Sequence, residues 1–247
     1  MKNKLEKNLN ILISFRSADE VSEECLKYVD ILDLKDPDKG AIGSWEIKNL
    51  KKIINKFGNK IKISATLGDE DKVYKILNKL KLFDSLKLDY IKFGVFTNDA
   101  GQLTFLLNSI KKRKFKTELV PVIFIENEFL RNFIGVNIKE FKKFGYNFLL
   151  LDTYSKDVGN IFDICSKNYL KILLNQSLVN NLSIGLAGKL NLSNIPQLAE
   201  LQPKIVGFRS AVCVDENRKK EISISKLKKL HYSIISVKRP AMHAAGA

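Results

Sequence analysis

Short apolar runs recur about every thirty residues along this chain, and they constrain its fold more than any other feature. Eight such runs, rich in β-branched and aliphatic residues, are bounded by polar residues, Gly or Pro, which is typical of buried parallel strands. The runs cover residues 10–15, 30–35, 60–66, 90–93, 119–124, 148–152, 182–187 and 205–208. The segments between them space apolar residues at i, i+3 and i+4, which predicts amphipathic helices packed outside a sheet.

Eight alternations of strand and helix favour a closed (β/α)8 barrel, with an open doubly wound sheet as the alternative. The length of 247 residues matches the roughly 250 residues usual for such a barrel. We expect one catalytic domain over residues 1–237. Small residues follow Pro240 in the last stretch, which predicts a disordered tail over residues 238–247.

The formal charge of +15 and the pI near 9.6 raise nucleic acid as a partner, because clustered Lys and Arg neutralise phosphates. Here the lysines are scattered over predicted helix faces and loops, and the chain is also rich in Asn and Ile. A general compositional bias therefore explains the charge, with a polyanion-binding face as the alternative. In either case a basic protein attracts small phosphorylated substrates.

The cysteines and histidines narrow the chemistry. Cys25, Cys165 and Cys213 are far apart and lack paired C-x-x-C spacing, so neither a zinc or other metal site nor a disulfide framework is expected. His231 and His243 lie beyond the last predicted strand. The general base is therefore expected to be Lys, Asp, Glu or Tyr.

Nothing in the sequence indicates a membrane or an export signal. No apolar run approaches the ~20 residues that span a bilayer. The first six residues, Met-Lys-Asn-Lys-Leu-Glu, lack the apolar core of a signal peptide. We therefore expect a cytoplasmic protein without a membrane partner.

Charged residues stand at the ends of three predicted strands, where a (β/α)8 barrel presents its active-site mouth. The second strand carries Asp33 and Lys35, the fourth carries Lys92, and the sixth carries Asp152 with Lys156 a few residues beyond it. An amine that loses water and meets other cations has a lowered pKa and can form a Schiff base. We predict that these five residues form the catalytic site, and which amine is uncharged is left open.

A plainer interpretation exists for each of these residues. An Asp-x-Lys pair at a strand end is also typical of a surface salt bridge, and Lys156, outside its strand, can be simply solvated. Asp30, at the beginning of the second strand, is expected to be structural. Gly40 and Gly43, just after Lys35, permit a tight loop that is either a lid or a turn.

Glycine-containing loops after the last two strands predict a phosphate site. In a (β/α)8 barrel, backbone N–H groups of these two loops commonly hold phosphate. The seventh strand runs into Gly185-Leu-Ala-Gly188-Lys and the eighth into Gly207-Phe-Arg209-Ser210. Glycines are also ordinary turn residues, but Arg209 could add a bidentate contact to phosphate oxygens. Gly185, Gly188, Gly207, Arg209 and Ser210 are the predicted phosphate-binding residues.

Several motifs together resemble one enzyme family along almost the whole chain. They are D-I-L-D-L-K-D-P-x-x-G-A-I-G over residues 30–43, D-Y-I-K-F-G over 89–94, L-D-T-x-x-K-D over 151–157, G-L-A-G over 185–188 and G-F-R-S-A-V-C over 207–213. In these the chain is similar to the archaeal and methylotroph (5-formylfuran-3-yl)methyl phosphate synthases, also called 4-(hydroxymethyl)-2-furancarboxaldehyde-phosphate synthases. Ala187 and Lys189 depart from the pattern of the family.

The resemblance implies a Schiff-base barrel lyase that condenses two glyceraldehyde 3-phosphate molecules into a furan phosphate aldehyde, releasing phosphate and water, in methanofuran-type cofactor biosynthesis. By that likeness Lys35 forms the Schiff base and Lys92 accepts a proton, with Asp33, Asp152 and Lys156 completing the charged site. No metal or organic cofactor is implied. The expected partner is a small phosphorylated triose, and a homo-oligomer is possible.

Two other functions compete with this one. A class I aldolase acting on another sugar phosphate would share the lysine chemistry but leave no aromatic product. A basic nucleic-acid-binding barrel protein would use the positive charge instead. The lysines at strand ends argue against nucleic acid, because its phosphates require exposed basic faces.

Overall fold

A closed barrel of parallel strands forms the centre of the molecule in the computed structural model, which describes residues 9–155 and 157–238. Each of its eight strands pairs with its neighbours in chain order, and the last pairs with the first. The predicted (β/α)8 barrel is confirmed. The strands are β1 (Asn10–Phe15), β2 (Ile31–Leu34), β3 (Lys62–Thr66), β4 (Tyr90–Val95), β5 (Glu118–Phe124), β6 (Phe148–Asp152), β7 (Ser183–Leu186) and β8 (Ile205–Phe208).

Helices connect these strands and surround the barrel. Their apolar faces pack on the sheet, as Leu50, Ile53 and Phe57 of the second helix do, while the lysines between them stay in water. The helices are α1 (Glu23–Leu26), α2 (Ile47–Phe57), α3 (Val73–Asp84), α4 (Ala100–Lys111), α5 (Glu128–Lys143), α6 (Ile161–Ile164), α7 (Lys167–Val179), α8 (Ile195–Leu201) and α9 (Ile224–Lys238). Except for Lys238, the tail predicted over residues 238–247 lies outside the described residues.

Polar capping residues fix where several of these helices begin. The side chain of Asp99 accepts a hydrogen bond from Gln102 N at 2.7 Å at the start of α4. Asn127 does the same for Leu130 N at the start of α5, at 3.1 Å. Such side chains satisfy backbone N–H groups that have no partner within the helix. The loops before α4 and α5 are thereby held at the mouth end of the barrel.

The barrel interior divides into an apolar lower part and a polar mouth. An inner apolar cluster fills the lower part and reaches the mouth at Phe124 of β5. Its strand members are Leu12, Ile31, Tyr90, Val120, Val122, Phe124, Leu150 and Ile205. Because alternate strand residues share a face, the same strands that supply Leu12 and Ile31 also turn Ser14 and Asp33 inward, one step nearer the mouth. Strand β5 contributes only apolar residues to this inner cluster. The polar mouth therefore has one apolar wall.

Two expectations concern residues away from the mouth. Asp30, expected to be structural, accepts a hydrogen bond from Ile11 N at 2.8 Å and so ties the start of β2 to β1. His231 lies on α9, outside the barrel, with its Nδ1 3.1 Å from Tyr28 O. Among the helices described, none combines the length and apolar character needed to cross a membrane.

Candidate active site

A buried ion pair joins β2 and β4 inside the barrel mouth. Lys92 Nζ lies 2.7 Å from Asp33 Oδ2, and the two side chains are 3% and 0% exposed. The adjacent strands β1 and β3 complete the surroundings of Asp33, because Ser14 and Ser64 stand beside it in register. Ser14 Oγ donates to Asp33 Oδ2 at 2.7 Å, and Ser64 Oγ donates to Oδ1. The side chain of Asp33 is therefore held by two hydroxyls and one amine.

The pKa of Lys92 is lowered in these surroundings. Burial is the largest cause, since it removes water from the charged amine, and the nearby positive charge of Lys35 also lowers the pKa. The charge of Asp33 opposes both effects without cancelling them. Lys92 is thus more easily deprotonated than an ordinary lysine, and an uncharged amine can accept a proton.

A second ion pair joins β2 and β6 above the first. Lys35 Nζ lies 3.5 Å from Asp152 Oδ2, with side chains 11% and 4% exposed. Lys35 directly follows β2, and its backbone N donates to Phe15 O at 3.1 Å, which extends the ladder to β1 by one residue. Asp152 ends β6 and accepts a hydrogen bond from Thr153 N at 2.7 Å. Lys35 is thus nearer to solvent than Lys92 but still enclosed.

Both lysines border one cavity of about 230 Å³ at the carboxyl end of the barrel. Asp152 borders it too, whereas Asp33 lies behind Lys92. The structure therefore brings together four of the five residues predicted for catalysis. The fifth, Lys156, lies outside the described residues. A cavity of this size that holds two amines can admit a small carbonyl compound to either one.

The loop that follows Lys35 is a closed turn that borders the mouth. Asp36 N donates to Gly43 O at 2.9 Å, closing the loop on itself. The carboxylate of Asp69 accepts from Ala41 N at 3.0 Å and Ile42 N at 2.9 Å. Of the two interpretations given for Gly40 and Gly43, the hydrogen bonds agree with a fixed turn.

Four of the five residues predicted to bind phosphate border the same cavity, namely Gly188, Gly207, Arg209 and Ser210. Gly188 has a φ of +92° and packs against Thr153, so a side chain there would be both strained and obstructed. Gly185 is placed differently from the prediction. It lies within β7, where it pairs with Leu150, and it borders a small inner cavity of about 20 Å³ below the mouth. The seventh loop begins only after Leu186, because β7 extends to that residue.

Arg209 borders the cavity, but its guanidinium is committed to the protein itself. Two of its nitrogens donate to the carboxylate of Glu20 at 2.6 and 2.9 Å. The remaining N–H groups donate to the carbonyls of Ser14, Arg218 and Lys220 at 3.1, 3.0 and 2.7 Å. All five N–H donors of an arginine are thereby used. The predicted bidentate contact of Arg209 with phosphate is therefore not supported, because Glu20 occupies that position.

Sequence reasoning missed two groups of residues at this site. Ser14 and Ser64 lie on the two strands next to Asp33. The alternation of inward-facing and outward-facing residues along β1 and β3 could have located them. Arg218, together with Glu216 and Asn217, borders the cavity from the segment after β8. Nothing in the spacing of the sequence singles out Arg218 among the surrounding lysines and arginines.

Aromatic side chains form the apolar wall of the mouth, beside the charged residues. Phe96 follows β4 and stacks on Phe124 of β5, with ring centroids 5.2 Å apart. The ring of Tyr154 meets both edge-on, at 5.9 and 5.3 Å. Phe96 fits there because Gly94 leaves room for its ring. The charged residues of the mouth thus come from β2, β4 and β6, and the aromatic residues beside them from the ends of β4, β5 and β6.

A closed barrel with two amine–carboxylate pairs enclosed at its mouth is the architecture of a (β/α)8-barrel enzyme. Several solved enzymes share this fold. Phosphoribosyl anthranilate isomerase from Thermus thermophilus matches with a TM-score of 0.64 and 14% identity, covering 93% of this chain and all of its own. A 3-hexulose-6-phosphate synthase matches with a TM-score of 0.60 and 13% identity, covering 92% of this chain and 100% of its own. At these identities the likeness shows the fold alone.

The chain belongs to the 4-HFC-P synthase family, whose model matches residues 11–231. The (5-formylfuran-3-yl)methyl phosphate synthase of Archaeoglobus fulgidus is 25% identical over 236 residues, which are 90% of this chain and 100% of that protein. The synthase of the same name from Methanococcus maripaludis strain C5 is 27% identical over 218 residues, 84% of this chain and 91% of that one. The family indicated by the sequence motifs is confirmed.

Proposed function

We propose that this enzyme condenses two molecules of glyceraldehyde 3-phosphate into (5-formylfuran-3-yl)methyl phosphate through a Schiff base on Lys35. The observation that carries the proposal is the pair of amines in one cavity, one of them near solvent and the other buried with a lowered pKa. Imine chemistry requires a nucleophilic amine and a separate proton acceptor. Lys35 and Lys92 can divide these two tasks.

Lys35 is assigned the nucleophile because its amine is the more accessible of the two. The amine attacks the aldehyde carbon of one glyceraldehyde 3-phosphate, and loss of water gives an imine. Lys92 then takes a proton from the carbon next to the imine, leaving an enamine. Asp33 holds the resulting ammonium at 2.7 Å, while Asp152 stabilises positive charge on the Lys35 nitrogen.

The enamine then expels phosphate from the third carbon of this triose, which leaves that carbon as the nucleophilic end of an enol. It attacks the ketone carbon of the second triose, which has isomerised to dihydroxyacetone phosphate, and this aldolase-like step forms the branched carbon skeleton of the product. The free hydroxyl of the second triose closes the ring on the middle carbon of the first, loss of two water molecules gives the furan, and hydrolysis of the imine frees Lys35 and the aldehyde. Overall, two trioses yield one furan phosphate, one inorganic phosphate and two molecules of water, so no oxidant is needed. A furan phosphate of this kind suits methanofuran-type cofactor biosynthesis.

Substrate phosphate is proposed to bind at the β7 and β8 end of the cavity. Gly188 and Ser210 border the cavity there, and a glycine with no side chain lets backbone N–H groups approach phosphate oxygens. Lys35 lies across the same cavity. A three-carbon phosphate can therefore place its carbonyl near the amine with its phosphate at the far side.

Trapping the imine tests this proposal directly. We expect borohydride, added with glyceraldehyde 3-phosphate, to leave a reduced triose adduct on Lys35, and a new aromatic absorbance to develop without borohydride. Lys35→Ala and Lys35→Arg should lose both signals while the circular dichroism is unchanged, because neither side chain forms an imine. Lys39→Ala is the matched control, since Lys39 lies in the same loop but is 53% exposed and pairs with Asp36.

Each outcome of that experiment has a distinct meaning. Turnover by Lys35→Ala would remove Lys35 from the nucleophile role. An adduct on Lys35 without the ultraviolet absorbance would point to a class I aldolase acting on another sugar phosphate. Neither signal from folded wild-type protein would refute the proposed function.

A further inference from the structure

The cavity holds more positive charge than the imine chemistry needs. Among the described residues that border it, five carry a positive charge: Lys35, Lys92, Lys189, Arg209 and Arg218. Lys35 and Lys92 pair with Asp152 and Asp33. Arg209 spends its donors on Glu20 and three carbonyls. The position of Arg218 therefore needs its own explanation.

Arg218 is held over the cavity through its backbone. The carbonyl of Arg218 accepts a hydrogen bond from Arg209 Nε at 3.0 Å. The carbonyl of Lys220, two residues further along the chain, accepts one from Arg209 Nη2 at 2.7 Å. Since Glu20 fixes Arg209 in turn, the segment is anchored independently of the Arg218 side chain. The guanidinium is thereby presented to the cavity by a fixed main chain.

The side chain of Arg218 keeps most of its donors for a ligand. In the part of the chain that the structure describes, its guanidinium makes one hydrogen bond, from Nη2 to Gly40 O at 3.1 Å. Four of the five N–H groups of an arginine are then left over. Burial lowers the pKa of Arg218, against the charge of Asp152, so the cation has lost water that an anion can replace. Asp152 also forms an ion pair with Lys35.

We propose that Arg218 binds the phosphate group of the triose phosphate substrate. The inference rests on the proposed function for the identity of that substrate. A guanidinium matches two phosphate oxygens at once, and Gly188 and Ser210 border the same cavity. Arg218 thus supplies the positive charge of the phosphate site, in the place that the sequence had suggested for Arg209.

Selectivity for phosphorylated over unphosphorylated triose is the readout that tests Arg218. Borohydride trapping on Lys35 is titrated with glyceraldehyde 3-phosphate and with glyceraldehyde. Arg218→Gln should raise the half-saturating concentration of the phosphorylated triose by about 10- to 100-fold, the effect of losing a charged hydrogen-bond partner. The half-saturating concentration of glyceraldehyde should change less than about twofold in this variant, because glyceraldehyde has no phosphate.

Two variants control for charge. Arg113→Gln removes the same charge from an exposed site outside the cavity and should leave both titrations unchanged. Lys189→Gln removes the other cavity cation on this side. Loss of selectivity in Lys189→Gln with none in Arg218→Gln would overturn the assignment, as would an equal loss for both trioses in Arg218→Gln.

Calorimetry with inorganic phosphate separates this inference from the proposed function. Phosphate should bind to wild type and to Arg113→Gln with the same affinity, and about 10-fold more weakly to Arg218→Gln. Equal affinity in all three proteins refutes the role of Arg218. A wild-type protein that binds phosphate through Arg218 but forms no imine would refute the furan synthase and leave the phosphate site standing.

Discussion

The surroundings of Lys92 change its protonation. Burial and Lys35 lower its pKa, and Asp33 raises it. The unfolded chain binds this proton more tightly than the folded protein between the lowered pKa and the ordinary 10.5. In that window the free energy of unfolding therefore rises with pH through this group. Lys92 costs stability at neutral pH, which the proposed role of Lys92 as a proton acceptor would explain.

The pH dependence of turnover should reveal the same lowered pKa. We expect kcat/KM to rise with pH, and to do so below the ordinary lysine value of 10.5, as Lys92 loses its proton. Asp33→Asn removes the carboxylate that raises this pKa, so the acid limb of the profile should move to lower pH, with reduced maximal activity. A limb that moves to higher pH, or stays in place, would contradict the assignment of Lys92.

Asp33 should also contribute strongly to stability. Replacing it by Asn leaves the Lys92 ammonium buried without its partner, and breaking a buried ion pair costs about 3–5 kcal/mol. Urea unfolding of Asp33→Asn should therefore show a loss of roughly 3 kcal/mol. Glu23→Gln is the control, because Glu23 and Lys60 pair at 2.6 Å with both side chains more than half exposed. Its loss should stay below about 1 kcal/mol, and equal losses would mean that the inner pair is not special.

At the level of elements, the turn after β2 governs the placement of Lys35. Gly43 has no room for a side chain, since a Cβ there would overlap the carbonyl of Asp36 and the side chain of Lys39. Gly43 O also accepts from Thr66 Oγ1 at 2.8 Å, which binds the turn to the end of β3. A change at Gly43 therefore reaches Lys35 through the backbone.

Gly43→Ala should lower both activity and stability. Overlap in a packed site costs about 1–3 kcal/mol, and the displaced turn should reduce imine trapping at Lys35. Gly135→Ala is the matched change within α5, where a Cβ would make ordinary contact with Tyr169. That variant should gain about 0.5–1 kcal/mol, because alanine favours a helix. Thermal unfolding measures the stability of both variants, and the yield of imine trapping measures their activity. If Gly43→Ala changed neither, the turn would be flexible enough to accommodate a side chain.

The strands could be predicted from the sequence because each is buried on both faces and is short, so it stands out as an apolar run. The expected and observed limits agree for β1, β6 and β8 and differ by one or two residues elsewhere. Lys35 and Asp152 followed from their places at strand ends. The position of Arg209 could not be predicted in the same way, because its partner Glu20 is 189 residues away in the chain. No local pattern encodes a contact of that kind.

Over the whole molecule, the formal charge of +15 should assist the capture of phosphorylated substrate. The Debye length falls from about 10 Å at 0.1 M salt to about 3 Å at 1 M. We therefore expect the KM for glyceraldehyde 3-phosphate to rise several-fold over about this range, while trapping of uncharged glyceraldehyde changes little. Equal sensitivity of both would indicate a general effect of salt on the enzyme. Duplex DNA, tested at physiological salt, should not bind measurably.

The closed turn from Asp36 to Gly43 has a consequence for the entropy of the reaction. Fixing one residue of backbone costs about 1–2 kcal/mol. The backbone N–H groups of Lys35 and Asp36, on either side of the Lys35 Cα, already donate to the carbonyls of Phe15 and Gly43. The chain loses that freedom once, when it folds. In the proposed reaction the amine of Lys35 therefore meets each carbonyl with little main-chain motion left to freeze, which is the advantage of a nucleophile placed between a strand and a rigid turn.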